Sequence, residues 1–364
     1  MSDTVSKNIS ICHVINCFKS GGAQTFLVSL AIAQLEISKN IYIVSLDKIV
    51  YDEFNTTLIE KLRLKGINVH TFNRISGKNL SILKSLIIAK SFFKKNDFDI
   101  INTHLPLSHL FISLLHLKIK VVNSIHNAPE KTNFITRFLN KSIPKIYCSQ
   151  SAKDLNSFYG KSKVINNGIV FNKNEHFNKL NIYDELNIPL KSKFVISVGA
   201  LRPQKNYFFL IDLIKKYFDN SNIHFLVLGN IVPETKIHEE ISKCNLNNLH
   251  YLGVKSNINE YLYSCDLFLS CALFEGLPIA VLEAAFQGMP CILSPIRPHK
   301  EVFESLNGVY IPSNFDTLSF KNEIINFFKE EHSKSKLIED RQDFINKYNI
   351  ENTAKQYITF YEER

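Results

Sequence analysis

Two doubly wound α/β domains are the fold class this sequence predicts, on three observations. Short β-rich runs alternate with helix-like stretches along the chain, the pattern of parallel sheets covered on both faces. The alternation breaks once, in a polar stretch over residues 167–190 that holds an Asn167-Gly168 turn signal and Pro189 just ahead of the next strand. The length, 364 residues, is about twice that of a usual domain.

The elements follow in order. Six β-rich runs punctuate the first half: ISICHVINCF, IYIVSL, INVHTF, FDIINTH, KVVNSIH and PKIYCS. Ala23 to Leu35 and Leu80 to Lys95 carry helical periodicity between them. The second half repeats the scheme with KFVISVGA, IHFLVLG, LHYLGV, LFLSCAL, PCILSP and GVYIP, each followed by a helical stretch. The closing RQDFINKYNIENTAKQYITFYEER reads as helix, with apolar and aromatic residues at three- and four-residue spacing. Ligands of open α/β sheets bind beyond the carboxyl ends of the strands, so two sheets facing each other predict a shared cleft there.

Composition bounds the class. Hydrophobic residues make up 45% and charged residues 21%, which suits a soluble protein with a core. No run of about 20 apolar residues exists, so no transmembrane helix is expected. The opening MSDTVSKNISICHVINCF lacks the apolar stretch of a secretory signal. Seven cysteines are scattered without a C-x-x-C pair, which reads as free thiols in a reducing cytoplasm and not as a zinc site. The net charge of +9 is uneven: 23 basic against 11 acidic residues through residue 176, and 20 against 23 beyond. A basic first half suits an anionic partner, such as a membrane surface, a phosphorylated substrate or nucleic acid; general solubility is the plain alternative. The positive charge lacks interleaved aromatics, so nucleic acid is not expected as a partner.

The stretch FEGLPIAVLEAAFQGMP is apolar yet holds Glu275 and Glu283. A charge in such a setting needs a partner. LFLSCAL is a strand, so Glu275 falls in the loop at its carboxyl end. Pro278 suits the first helical position, and Gly288 with Pro290 stops the helix. Glu283 then lies on the helix, flanked by Ile279 and Phe286 at i−4 and i+3. On spacing alone these carboxylates fit equally well an internal ion pair or a ligand such as a ribose diol.

Further signals sit at strand ends. Gly21 and Gly22 follow the first strand and open a helix, where bare backbone N–H groups can approach a phosphate or sugar; a simple tight turn is the competing reading. Neither a dinucleotide fingerprint nor a P-loop is present. His126 ends KVVNSIH, and His104 ends the preceding strand, where a structural role is favoured for it. His109, His116 and His299 carry no comparable argument. Asp97-Phe98-Asp99 has the spacing of a metal-binding D-x-D, but it precedes a strand and reads as a solvated loop. The segment SILKSLIIAKSFFKKN joins an apolar stripe to Lys84, Lys90, Lys94 and Lys95; packing of the stripe on the first sheet is favoured over membrane docking.

The run E-G-L-P-x-x-x-L-E-A-x-x-x-G-x-P closely resembles the donor-site signature of retaining glycosyltransferases of family 4, which have the GT-B fold. Gly21-Gly22-Ala23, His126, VINNGI, VGALRPQKN, LGV and CDLFLS fall in the same register over roughly residues 10–305. The resemblance implies two Rossmann-like domains across a cleft. Residues 1–170 would bind the acceptor, with a helix over 345–364 crossing back, and residues 171–344 would bind a nucleotide sugar. It implies that Glu283 binds the ribose and that Glu275 touches the donor sugar, helped by the backbone of Gly276, Leu277 and Pro278. Lys205 would pair with the pyrophosphate. Arg202 would add a second cation, because Ala200 stands where the family often has arginine. Gly21 and Gly22 would approach the donor, His126 would lie near donor sugar and acceptor, His104 would be a weaker acceptor contact, and Val254 and Leu277 would influence base and sugar.

The implied reaction is retaining transfer, without metal or cofactor, from a uridine-diphosphate hexose or N-acetylhexosamine to a lipid-linked or saccharide acceptor of bacterial surface polysaccharide. The enzyme would be cytoplasmic, with an anionic membrane surface as a further partner. The rivals are a nucleotide-sugar 2-epimerase of the same fold and a non-catalytic partner of another transferase.

Overall fold

Apolar β-branched runs pair in parallel, as the alternation requires. The computed structural model describes residues 9–18, 21–51, 53–75, 77–127, 138–139, 141–156, 160–171 and 177–363. The chain divides into two units, Met1–Val170 with Tyr348–Arg364, and Phe171–Lys347. Both are α/β, each built on one parallel sheet.

In the first unit the strands are β1 (Ser10–Ile15), β2 (Asn40–Asp47), β3 (Asn68–Arg74), β4 (Ile100–His104), β5 (Lys120–Ile125), β6 (Lys145–Tyr147) and β7 (Ser162–Val164). Their order is β3-β2-β1-β4-β5-β6-β7, so the topology reverses between β1 and β4. The helices are α1 (Gly22–Leu35), α2 (Glu53–Leu64), α3 (Asn79–Lys95), α4 (Pro106–Ser113) and α5 (Gln150–Asn156). One face of the sheet buries Cys12, Val14, Val44, Phe72 and Ile101 under Ala89 and Phe93 of α3 and Phe111 of α4. The opposite face takes α1 and the last helix of the chain.

The second unit contains β8 (Lys193–Val198), β9 (Ile223–Leu228), β10 (Leu249–Gly253), β11 (Leu267–Ser270), β12 (Cys291–Leu293) and β13 (Val309–Tyr310). Their order, β10-β9-β8-β11-β12-β13, reverses between β8 and β11. The helices are α6 (Ile182–Leu186), α7 (Tyr207–Tyr217), α8 (Ile237–Lys243), α9 (Ile258–Ser264), α10 (Ile279–Phe286), α11 (Arg297–Phe303), α12 (Thr317–Phe327), α13 (Lys334–Asp340) and α14 (Gln342–Lys347). The core joins Val195, Phe225, Val227, Leu267 and Leu269 of the sheet to Leu210 and Ile214 of α7 and Phe320 of α12. The final helix, α15 (Ile350–Glu362), belongs to the first unit. That segment starts at Tyr348 and not at residue 345, because α14, whose Phe344 packs on Phe286 and Phe303 of the second unit, runs on to Lys347.

Two expectations gain detail, and Asp97 and Asp99 stay exposed as a solvated loop requires. The outward face of α3 carries Leu80, Leu83 and Ile87, exposed at 75%, 61% and 71%, while Ser85, Ala89 and Phe93 form its buried side. So the helix packs on the sheet with one stripe and leaves a second apolar stripe facing solvent. Asp99, of the D-x-D spacing, accepts a hydrogen bond from the Ser10 backbone N–H (2.8 Å) and fixes the entry to β1. No group of three or more metal-ligating residues occurs among the described residues. None of the described helices is long and apolar enough to cross a membrane.

Candidate active site

The two glutamates share one strand–loop–helix segment of the second unit. β11 ends at Ser270, the chain turns through Glu275-Gly276-Leu277-Pro278, and α10 begins at Ile279. Pro278 is the residue capping the helix and not its first helical residue, since its carbonyl accepts the Val281 and Leu282 N–H groups. At the other end Gly288, with φ +66°, closes a Schellman motif: Met289 N–H reaches Ala284 O and Gly288 N–H reaches Ala285 O. The turn and the helix are largely buried, including Gly276, Leu277 and Pro278, so the Leu277 and Pro278 side chains pack inward.

Glu275 is satisfied within the chain. Its carboxylate meets Lys205 Nζ at 2.6 Å and accepts from Gln204 Nε2 at 3.0 Å. Gln204 also donates to Phe274 O (3.0 Å), which ties the two loops together. Lys205 ends a one-turn 3-10 segment, Pro203–Lys205, between β8 and α7. Gly199, just past β8, makes room for it: a Cβ there would stand 2.7 Å from Lys205 Cε. Tyr207 locks the same loop by donating its hydroxyl to Gly199 O (2.8 Å), and burial raises its pKa. A hollow lined by Ser197, Lys205, Tyr207, Ser270, Cys271 and Pro278 lies at this edge, where β8 and β11 diverge.

Glu283 differs. It is partly buried on α10, and among the described residues its carboxylate has no hydrogen-bond or ionic partner. Burial pushes its pKa up to about 7. The alternatives left open by spacing therefore divide: Glu275 has an internal ion pair and Glu283 has none. Arg202 is exposed, and its guanidinium likewise has no partner among the described residues. Val254 follows β10 at the same edge of the sheet and is 43% exposed.

His299 at the start of α11 was not singled out by the sequence. It is fully buried, donates from Nδ1 to Ser294 O (2.8 Å), and feels the charges of Glu275 and Lys205. Burial lowers its pKa to about 4. The only signal for it was its place after the strand PCILSP.

The first unit has its own polar cluster at the carboxyl ends of β1, β4 and β5. Gly21 caps α1, accepting the Gln24 and Thr25 N–H groups, and Gly22 is exposed. His126 is 8% exposed. Its Nε2 lies 2.8 Å from His104 Nδ1, and its Nδ1 is buried with no partner. His104 corrects an expectation. It is fully buried and spends both ring nitrogens on His13 and His126, so it has no atom left for an acceptor.

Residues 178–347 match the family described as Glycosyl transferases group 1. The chain is 27% identical over 279 residues to the UDP-Gal:alpha-D-GlcNAc-diphosphoundecaprenol alpha-1,3-galactosyltransferase of Escherichia coli, covering 68% of this chain and 72% of that one. It is 28% identical over 271 residues to the capsular polysaccharide biosynthesis glycosyltransferase CapH of Staphylococcus aureus, covering 67% and 71%. A crystal structure of Anabaena HepE in complex with UDP and glucose superposes with a TM-score of 0.76 at 18% identity, over 97% of this chain and 99% of that one. The second unit thus carries a group 1 glycosyltransferase domain, the fold class is GT-B with two Rossmann-like units, and the chain is a glycosyltransferase.

Proposed function

We propose that this glycosyltransferase moves a hexose or N-acetylhexosamine from a uridine-diphosphate sugar to a lipid-linked saccharide of bacterial surface polysaccharide, with retention at the anomeric carbon. One observation carries the reading. Glu283, partly buried and unpartnered, is raised toward neutrality on the helix that follows the Lys205–Glu275 pair. A vicinal diol supplies the two donors such a carboxylate lacks and favours its charged form. A relative named for UDP-galactose, and neighbours solved with UDP, support a uridine nucleotide.

In this reading Glu283 holds the ribose hydroxyls, and Glu275 the donor sugar with the backbone of Gly276 to Pro278. Lys205 and the exposed Arg202 meet the diphosphate, stabilising the charge that develops as the anomeric C–O bond breaks. The departing phosphate oxygen takes the proton of the attacking acceptor hydroxyl as the new C–O bond forms on the same face. No metal is required by this scheme. In the first unit Gly21, Gly22 and His126 meet the sugar substrates.

The test is thermal stabilisation of the purified protein by a panel of nucleotide sugars. A uridine-diphosphate sugar should raise Tm, and Glu283→Ala should abolish the rise. Equal stabilisation of parent and variant removes Glu283 from the ribose site. Glu275→Ala should lose turnover more than binding.

The lipid-linked acceptor places the reaction at a membrane, and the outward face of α3 suits one. Leu80, Leu83 and Ile87 are exposed there beside Lys84, Lys90, Lys94 and Lys95, with no acidic residue in the helix. The protein should sediment with phosphatidylglycerol vesicles and not with phosphatidylcholine vesicles. Leu83→Asp with Ile87→Asp should release it; retention by the double variant assigns the docking elsewhere.

A further inference from the structure

A polar layer runs through the face of the first sheet that α1 and α15 cover. Parallel register sets His13 of β1 beside Asn102 of β4, and His104 beside Ser124 of β5. Residues two apart share a side of a strand, so these four and His126 face one way. Their side chains make an unbroken chain. Gln34 Oε1 lies 2.7 Å from His13 Nε2, His13 Nδ1 lies 3.0 Å from His104 Nε2, and His104 Nδ1 lies 2.8 Å from His126 Nε2. At the free end His126 Nδ1 is buried and has no partner.

A neutral imidazole has one donor and one acceptor nitrogen, so fixing one end of such a chain fixes every proton in it. Burial keeps the rings neutral: it lowers the pKa of His13 to about 4 and of His126 to about 3, and takes that of His104 well below the usual range. Beside this chain the Ser124 hydroxyl donates to Asn102 Oδ1 (2.9 Å). Asn102 therefore turns its Nδ2 to Tyr361, donating to the phenol oxygen at 2.6 Å. Gln34 anchors the histidine chain: its amide oxygen is turned toward His13 Nε2 at 2.7 Å. That oxygen takes the Nε2–H of His13. The sense then propagates outward: His104 donates from Nε2 to His13, and His126 donates from Nε2 to His104. His126 ends the chain as an acceptor.

We propose that Gln34, His13 and His104 are positioning residues that lock His126 in its Nε2–H tautomer and so present the Nδ1 lone pair to a hydroxyl of the saccharide substrate. The proposal rests on the assignment of His126 to the sugar site made above. The sign of the free atom selects the ligand chemistry. A buried acceptor lacks a donor, which a sugar hydroxyl supplies; a phosphate oxygen, itself an acceptor, is repelled.

The experiment is nitrogen NMR on the full chain with labelled imidazole rings, the His126 signals being assigned from their loss in His126→Gln. The parent should show Nδ1 of His126 without a proton and Nε2 with one. The reverse pattern means the chain runs the other way and overturns the proposal, with no variant needed. Gln34→Met, which removes the anchor at similar volume, should give a mixture of tautomers at His126 and lower kcat on the order of tenfold. Stabilisation by UDP should stay as in the parent. Lower kcat with the parent's single tautomer reduces Gln34 to a packing role and overturns it too. The parent's tautomer together with full turnover in His126→Gln fails differently: the chain is polarised as described, and it is the sugar-site assignment that falls.

Discussion

Glu283 and Glu275 sit eight positions apart in one apolar run, and the folded chain treats them oppositely. Glu275 is neutralised by Lys205 at 2.6 Å, whereas Glu283 has burial without compensation and a pKa near 7. The sequence showed that both acids needed partners but not which would find one inside the chain, because Lys205 lies 70 residues away and meets Glu275 only through the β8–β11 adjacency. A titration follows. The unfolded chain releases this proton near 4.5, the ordinary value of a glutamate, and the folded chain holds it to about 7. Between those values the folded state binds more protons than the unfolded one, so stability falls as pH rises through the window, by at most about 1.4 kcal/mol per unit. Urea unfolding across the window should show this slope in the parent and a shallower one in Glu283→Gln. Donor binding should run the other way, strengthening as pH rises through about 7, since a diol donates to the ionised form. A Glu283→Gln profile identical to the parent's in both measurements would falsify the assignment of that titration to Glu283.

At the scale of elements, the sequence carried most of the fold because hydrophobic periodicity is local. The runs read as strands become β1 to β6 and β8 to β13, and α1 and α3 begin within one residue of their expected starts. β7 escaped: it is three residues long, Ser162–Val164, half-buried and at the sheet edge, so it lacks the apolar density that marks the others. His13 escaped for the opposite reason, since within SICHVI it looks like any core position; only its neighbours on β4 reveal the chain it joins. The stop of α10 was legible as Gly288 and Pro290, but its strength was not. Arg341, distant in sequence and almost fully buried, donates to Ala285 O and Met289 O, both at 3.0 Å. A Cβ on Gly288 would stand 2.2 Å from Lys334 O, in a conformation that already costs a non-glycine residue about 1–2 kcal/mol. Gly288→Ala should therefore lower stability by about 2–4 kcal/mol in denaturant unfolding. It should also weaken nucleotide-sugar binding through the displaced helix. A loss under about 0.5 kcal/mol, the range of a neutral surface change, defeats this account of the helix end.

For the whole molecule, the decisive feature is that the chain's last helix belongs to its first unit. The crossing was legible as a terminal amphipathic pattern; what it covers was not, because the groups it satisfies lie more than 180 residues upstream. α15 buries Ile350, Tyr357, Ile358, Phe360 and Tyr361. Thr353 Oγ1 donates to Asn166 O (3.0 Å), Lys120 Nζ to Tyr361 O (2.7 Å), and Tyr361 receives Asn102. Each large apolar side chain contributes about 1.5–3 kcal/mol on burial, so the five together are worth about as much as the whole stability of an ordinary domain. Among the described residues of the second unit's core cluster, none lies on that helix. A chain ending at Lys347 should therefore lose the first unit and keep the second. Calorimetry should show the first unit already unfolded, with one cooperative transition remaining. If the donor nucleotide is held by Glu283, Lys205 and Arg202, UDP should still raise the temperature of that transition, while transfer to any acceptor is lost. A truncated protein that melts like the parent contradicts the placement of α15. One that retains the transition but no longer responds to UDP moves part of the nucleotide site into the first unit.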